Sequence, residues 1–322
     1  MKLLLLLPLL FSLSPFAYAN PQVESFIQRM VDTQGFDAGE LRKILAQARK
    51  RQDIIDRMNK PAEKTLNWGQ YRKIFLTGKR ASQGVEFWKK NQQALRKAEE
   101  IYGVPPQFVV AIIGVETFYG RIAGKDKVLD ALYTLAFHYP KRSKFFTSEL
   151  EKFLILAKKE KLDPAKPKGS YAGAMGLGQF MPSSYLAYAV DFDGDGKRDI
   201  WNNETDAIGS VANYFARHGW KKGLPVTAAV ASPPADVKKY LDAGVKPRFT
   251  LGELRKAGMV VDPALDDALE AALIRLETDQ GEEYWAALKN FYVITRYNHS
   301  ELYAMAVYQL SERIRDLFAG KG

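Results

Sequence analysis

Glu116 closes an apolar run. The stretch QFVVAII carries one polar residue, at its start, and GVETFYGR follows directly. An ionised carboxylate is costly to bury, so this one is paired, neutralised by a raised pKa, or turned into a cleft. Helical spacing sets Ile112, Ile113 and Tyr119 against the same turn, and Gly120 is expected to end the helix. A carboxyl in such surroundings keeps its proton toward neutral pH and can donate it, as a general acid at a glycosidic oxygen must. The residue types alone fit another reading and favour it: a buried glutamate bridged to Arg121.

Two further stretches carry chemistry. In KGSYAGAMGLGQFMPSSY, Gly173, Gly176 and Gly178 let backbone approach something bulky. The Gln179 amide can donate and accept, as sugar hydroxyl and acetamido groups require, although a glycine-rich turn around a buried glutamine fits as well. In DFDGDGKRDIW, Asp191, Asp193, Asp195 and Asp199 fall on the first, third, fifth and ninth positions of a calcium loop. Gly196 stands at the sharp turn and Lys197 where a backbone carbonyl ligates. The usual closing glutamate is missing, its place taken by Asn202, and a solvated acidic turn is the competing reading.

The elements that must position these residues are mostly helical. FDAGELRKILAQA opens with Asp37 and Glu40 at capping-box spacing and continues with Leu41, Ile44, Leu45 and Ala48 on one face. GVEFWKKNQQALRKAEEIYG reads as one helix ending at Gly103. Pro105 and Pro106 then suit the first turn of the helix that carries Glu116, apolar nearly all round and hence buried. Pro182, Ser183 and Ser184 resemble another helix start. Near the C-terminus, Tyr303, Val307, Leu310, Ile314 and Leu317 form one stripe, with Asn298 and Glu301 as a second capping pair. Between 223 and 284, short β-prone runs mix with proline and glycine, the texture of a small β-rich insertion.

Composition limits the setting. The 322 residues, 47% hydrophobic with 18 phenylalanines, suffice for a sizeable core. MKLLLLLPLLFSLSPFAYA reads as a secretory signal: Lys2, an apolar run broken by Pro8 and Pro15, and a small-x-small site at Ala17–Ala19. No cysteine occurs, so disulfides and a cysteine-borne lipid anchor are both excluded from this sequence, and a soluble exported protein is expected. The formal charge of +10 suits an anionic polymer such as a cell wall bearing peptide carboxylates, or a membrane surface, or is simply a basic surface. No dense arginine–aromatic tract points to nucleic acid.

Five ordered motifs, GVETFYGR, AGAMGLGQFMPSSY, DFDGDGKRDIW, DAIGSVANYFARHGW and NFYVITRYNHSELYAMAV, resemble the membrane-bound lytic transglycosylase B family of murein-cleaving enzymes. Weaker similarity extends over most of residues 65 to 318. The resemblance implies a mainly α, α+β protein with a lysozyme-like helical core, acting in the periplasm on peptidoglycan glycan strands. It implies cleavage between N-acetylmuramic acid and N-acetylglucosamine with closure of a 1,6-anhydro ring, Glu116 serving first as acid and then as base. It further implies sugar contacts from Ser170, Gln179, Tyr297, Asn298 and Tyr303, with Tyr303 the partner of Glu116. A plain helix cap competes for Asn298 and a core position for Tyr303. Lys141 and Arg142 stand where the family has paired arginines, and a lysine cannot form the same planar fork. Asp206 matches the later acid that completes the family's structural calcium site, although it could instead cap its helix.

The domain reading is a signal peptide at 1–19, an N-terminal helical region at 20–100, and a catalytic core at 101–222 with the calcium loop. The β-rich insertion follows at 223–284 and the remainder of the core at 285–322. A muramidase that lets water attack, and a non-catalytic peptidoglycan-binding protein, are the alternatives. Cell-wall synthases or other hydrolases are open as partners, and exo or endo action is not legible.

Overall fold

The computed structural model describes residues 20–60 and 66–321, so the expected signal peptide lies outside the described residues. The chain divides into two compact units, Met1–Gln47 and Ala48–Gly322, a boundary that falls inside the region 20–100.

The first unit holds two helices, α1 (Pro21–Gln34) and α2 (Ala38–Leu45). Asn20 caps α1 by accepting from Gln22 N at 3.0 Å, and Pro21 suits the first position because no helical acceptor awaits its nitrogen. Phe26, Ile27 and Met30 form its buried face. Asp37 caps α2 through Glu40 N at 2.8 Å, but the return bond of a full box is absent among the described residues. The helix stops at Leu45 with Ala46 as its cap, so Ala48 lies beyond it rather than on its face.

The second unit begins with α3 (Gln52–Asn59), α4 (Trp68–Phe75), α5 (Gly78–Lys90) and α6 (Gln92–Tyr102). Helices α5 and α6 correct the single helix expected there. Asn91 breaks it: its side-chain Nδ2 donates to Phe87 O at 3.1 Å and to Glu204 Oε2 at 2.7 Å. This local bond satisfies a carbonyl at the end of α5. Gly103 ends α6 in the left-handed conformation, as expected.

Next comes α7 (Pro106–Thr117), whose residues from Val109 to Ile113 are wholly buried. Helices α5 and α6 pack on it, as do α11 (Glu204–Arg217) and α15 (Glu301–Phe318), which explains a helix apolar on every side. Between α7 and α11 the chain forms β1 (Asp126–Lys127), α8 (Val128–His138), α9 (Ser143–Lys159), β2 (Lys168–Gly169) and α10 (Pro182–Tyr188). Strand β2 pairs antiparallel with β1, and α8 and α9 pack on each other.

The β-rich segment comprises β3 (Thr227–Val230), α12 (Val237–Leu241), β4 (Phe249–Thr250), α13 (Leu251–Lys256), β5 (Glu270–Thr278) and β6 (Gly281–Leu288). Its sheet is antiparallel in the order β3-β6-β5-β4 and carries a separate small core that includes Leu251, Leu254, Met259, Leu273 and Leu288. Strand β6 runs past 284 to Leu288, because Ala286, Ala287 and Leu288 are buried like the strand residues they face. The β5–β6 hairpin meets α4 through Arg72 and Glu283, 3.0 Å apart, and through Asn67 Nδ2 to Asp279 Oδ1 at 3.1 Å.

Helix α14 (Lys289–Tyr297) leads into α15. Ser300, not Asn298, caps α15, its hydroxyl accepting from Tyr303 N at 3.2 Å. The buried stripe of α15 runs from Tyr303 to Ile314, while Leu317 is largely exposed. No helix among the described residues is long and apolar enough to cross a membrane.

Packing is tight beneath the end of α7. A Cβ on Gly114 would stand 2.5 Å from the Tyr119 hydroxyl and 2.7 Å from its ring. Gly114→Ala is therefore expected to lower stability by about 1–3 kcal/mol, overpacking outweighing the helix-propensity gain. Chemical denaturation checks this, and a variant as stable as the parent would disprove the packing argument.

Candidate active site

Glu116 sits in the last turn of α7, and the way the helix ends decides where its carboxylate goes. The helix closes at Thr117, three residues before the expected Gly120. Phe118 and Tyr119 take left-handed backbone angles, φ 50° and 59°. For bulky L-residues this conformation costs on the order of 1–2 kcal/mol each and needs compensation. Phe118 N reaches Gly114 O at 3.1 Å and Tyr119 N reaches Ile113 O at 3.3 Å, closing the helix's free carbonyls. The Tyr119 hydroxyl donates to Arg80 O at 2.9 Å, while the Arg80 guanidinium lies 4.9 Å from the Phe118 ring centre. Thr117 Oγ1 bonds Leu177 O at 2.9 Å and accepts from Gly120 N at 3.0 Å, tying the turn to the glycine-rich segment.

The half-buried Glu116 carboxylate receives the Tyr303 hydroxyl on Oε1 at 2.5 Å. Tyr303 is 2% exposed. Burial, and then the negative charge of Glu116, hold its proton well above the usual phenol value of 10.0, so it stays a donor. The Arg121 guanidinium is directed to Gln83 Oε1 at 2.8 Å rather than to Glu116.

The glycine-rich segment forms the neighbouring wall. The Tyr297 hydroxyl donates to Gly178 O at 2.6 Å, and a Cβ on Gly178 would meet that hydroxyl at 2.8 Å. Likewise Gly173 and Gly176 make room for Leu132 and Ile200, so the bulky groups admitted by these glycines are the protein's own. Gln179 adopts φ 51°, and its Nε2 donates to Gly176 O at 2.8 Å and Ala123 O at 3.2 Å. With both amide protons used, its side chain offers an acceptor only. Ser170 Oγ accepts from Ala172 N and Ala174 N at 3.2 and 3.0 Å, leaving its own proton to donate.

Asn298 follows α14, its carbonyl accepting from Ser300 N at 2.8 Å, and its side-chain amide makes no hydrogen bond among the described residues. Direct contacts thus join Glu116 to Tyr303 and Tyr297 to the backbone beside Gln179. Tyr297 also feels the charge of Glu116, which adds to burial in raising its phenol pKa. Lys141 and Arg142 are exposed on a short 3-10 turn. Lys141 Nζ bonds Asn59 Oδ1 at 3.2 Å, and the Arg142 guanidinium lies 4.4 Å from the Phe145 ring centre.

The sequence reading missed Thr117, whose hydroxyl joins two walls of the site, and a cluster around Asp126. Asp126 is 4% exposed and accepts from Arg51 Nη2 at 3.3 Å and Arg57 Nη1 at 3.0 Å. The Arg57 guanidinium stacks on the ring of Tyr171, next to Ser170, at 4.2 Å. An acid one residue from two lysines, in GKDKV, was the available signal.

In the acidic loop, Asp191, Asp193 and Asp206 each bring a carboxylate oxygen within 4.8 Å of the others. Asp195 and Asp199 lie outside this group. Asp195 accepts from Lys197 N at 2.8 Å, and Asp199 accepts from Trp201 N and Asn202 N at 2.9 Å each. Asp206 is buried and accepts from Phe192 N at 2.7 Å and Asp199 N at 2.8 Å, while burial raises its carboxyl pKa. Asn203, not Asp206, caps α11, its side chain accepting from Thr205 N and Asp206 N. Three convergent carboxylates, one of them buried, are an oxygen-only donor set that fits a hard cation.

Residues 18–312 match the family model described as Transglycosylase SLT domain. The chain is 47% identical over 304 residues to the membrane-bound lytic murein transglycosylase B of Escherichia coli (strain K12), covering 92% of this chain and 83% of that one. The soluble lytic transglycosylase SltB1 from Pseudomonas aeruginosa superposes with TM-score 0.88 at 48% identity, over 93% of this chain and 100% of that one. The Escherichia coli lytic transglycosylase Slt35, solved in complex with calcium, superposes with TM-score 0.83 at 45% identity, over 93% and 94%.

The buried phenols have a consequence for pH. Tyr297 and Tyr303 hold their protons well above 10.0, burial being the main cause. Above that value the unfolded chain releases protons that the native state retains, so stability is full below pH 10 and falls as pH rises. The denaturation midpoint is expected to drop as pH rises from about 10 to about 11, less steeply in Tyr297→Phe. A flat midpoint across that range would contradict the burial of these groups.

Proposed function

The chain belongs to the transglycosylase SLT domain family and is a peptidoglycan lytic transglycosylase; from that premise we propose that Glu116 carries both proton transfers and that the cut sugar closes on itself. The observation that carries this reading is the 2.5 Å bond from the Tyr303 hydroxyl to Glu116 Oε1. It fixes the position of the carboxyl group at the end of α7.

In the proposed sequence, Glu116 gives its proton to the oxygen joining N-acetylmuramic acid to N-acetylglucosamine, and the bond from that oxygen to the anomeric carbon breaks. The muramic acetamido group supports the electron-poor carbon. The carboxylate then takes the proton of the same sugar's 6-hydroxyl as that oxygen bonds the anomeric carbon. A 1,6-anhydro end forms, Glu116 regains its proton, and no water is consumed. The nucleophile belongs to the substrate, so the second carboxylate of the usual glycosidase pair has no task. Ser170 is suited to donate to a sugar, Gln179 to accept, and the unengaged Asn298 amide to do both. Tyr297 holds the Gly178 backbone in place.

Asp191, Asp193 and Asp206 would hold a calcium ion, which would supply charge neutralisation and loop order rather than acid–base chemistry. The basic surface and the signal-like residues 1–19 support a periplasmic place of action.

Mass spectrometry of digested sacculi is expected to find anhydro-muramyl ends, and saturated reducing ends would replace this mechanism with hydrolysis. Glu116→Gln is expected to fold normally and to lose about 10²–10⁴-fold in product release. Undiminished turnover in that variant would remove Glu116 from its role.

Calcium is expected to raise the thermal midpoint relative to chelator, since a ligand bound only by the native state stabilises it, and Asp206→Asn to abolish the difference. Equal midpoints in the parent protein would leave the acids as a turn.

A further inference from the structure

A second cluster of charge borders the sugar-binding loop, and its geometry is that of a prepared receptor. Asp126 pairs in β1 with Gly169 of β2, the residue before Ser170. Its buried carboxylate receives Arg57 Nη1 at 3.0 Å and Arg51 Nη2 at 3.3 Å. The Arg57 guanidinium carbon lies over the Tyr171 ring, 4.2 Å from its centre. One nitrogen and one face are therefore engaged, while Nε and Nη2 carry no hydrogen bond among the described residues. The side chain is nonetheless 44% exposed. On the same helix, α3, Asn59 holds the Lys141 ammonium at 3.2 Å.

An arginine fixed on two sides loses little rotamer freedom on binding, and its unused N–H groups form a planar fork matched to a carboxylate. Asp126 does not remove this capacity, because Arg51 shares that carboxylate. Asp53 takes up Arg51 in turn, bonded at 2.8 Å, and Lys141 and Arg142 keep the region positive. Resting on the reading that the chain cleaves peptidoglycan, we propose that Arg57 is a specificity-determining residue that binds a carboxylate of the muramyl unit seated beside Ser170. Two carboxylates have this chemistry: those of the stem peptide, and that of the lactyl group when no peptide is attached.

The test compares three substrates: intact peptidoglycan, peptide-stripped glycan strands with free lactyl carboxylates, and stripped strands whose lactyl groups are capped as neutral amides. For the parent enzyme, kcat/KM is expected to be lowest on the capped strands. Arg57→Ala is expected to lower kcat/KM about 10- to 100-fold on the carboxylate-bearing substrates, chiefly through KM, and to leave the capped strands nearly unaffected. Arg57→Lys, which keeps the charge and can still reach Asp126, is expected to recover part of the loss. A loss confined to intact peptidoglycan identifies a stem-peptide carboxylate, and a loss on stripped strands with free lactyl groups identifies the lactyl one. Equal losses on all three substrates would overturn the proposal and leave Arg57 a support for the Tyr171 loop. Should Arg57→Ala not fold, the parent enzyme's preference decides, and equal kcat/KM on all three substrates overturns the proposal. Inactivity of the parent on every substrate would instead count against the proposed function itself.

Discussion

The contact between the Tyr303 phenol and the Glu116 carboxylate constrains everything around it. A 2.5 Å hydrogen bond to a half-buried carboxylate requires the last turn of α7 and the first turn of α15 to keep their positions within a few tenths of an ångström. Both helices meet that demand by burial. Residues Val109 to Ile113 of α7 and Ala304 to Val307 of α15 are excluded from solvent, and the two helices pack directly on each other. Sliding either helix would open voids in a core packed at crystal-like density. The polar bond is therefore held by apolar packing, and its own energy is a small part of what keeps it short.

The irregular backbone after Thr117 follows from the same demand. Had α7 continued, the next turn would have lain over the space beside Glu116. The left-handed pair Phe118–Tyr119 turns the chain away within two residues. Its cost is offset by the two closing backbone bonds, the Tyr119 hydroxyl on Arg80 O, and the Arg80 guanidinium over the Phe118 ring. Gly114 belongs to this arrangement because the Tyr119 ring folds back over it.

The sequence made the helical character, the buried helix, the β-rich segment and the glutamate legible, because each depends on periodicity or on a polar residue out of place. It misled where a local signal had two outcomes. Asn91 looked like one polar residue in a long helix, yet its amide ends α5 by reaching Phe87 O. Asn298 and Ser300 are both good caps, and only the packed position of α15 gives the role to Ser300. Gly120 looked like a terminator, but tertiary contacts of Tyr119 made a non-glycine terminus affordable three residues earlier. The glycines of the GAMGLGQ stretch looked like an approach for a ligand, whereas Leu132, Ile200 and Tyr297 fill the space they leave. Contacts between residues far apart in sequence, such as Arg57 with Asp126 and Tyr171, have no periodic trace.

The division of labour follows from where charge is allowed to stay. Beside Glu116 stand Tyr303 and Tyr297, phenols whose protons are held by burial and by the nearby carboxylate charge. Around Asp126 the partners are charged: two guanidinium groups pair with the acid, and both arginine side chains are partly exposed. In the proposed mechanism the first environment handles a proton that must leave and return, whereas the second pairs fixed arginine charges with an acid. An arginine placed against Glu116 would stabilise its carboxylate throughout and weaken it as an acid. In the proposed arrangement the recognition cations are anchored on Asp126 of β1 and on Tyr171, and the proton-transferring carboxyl on Tyr303 of α15.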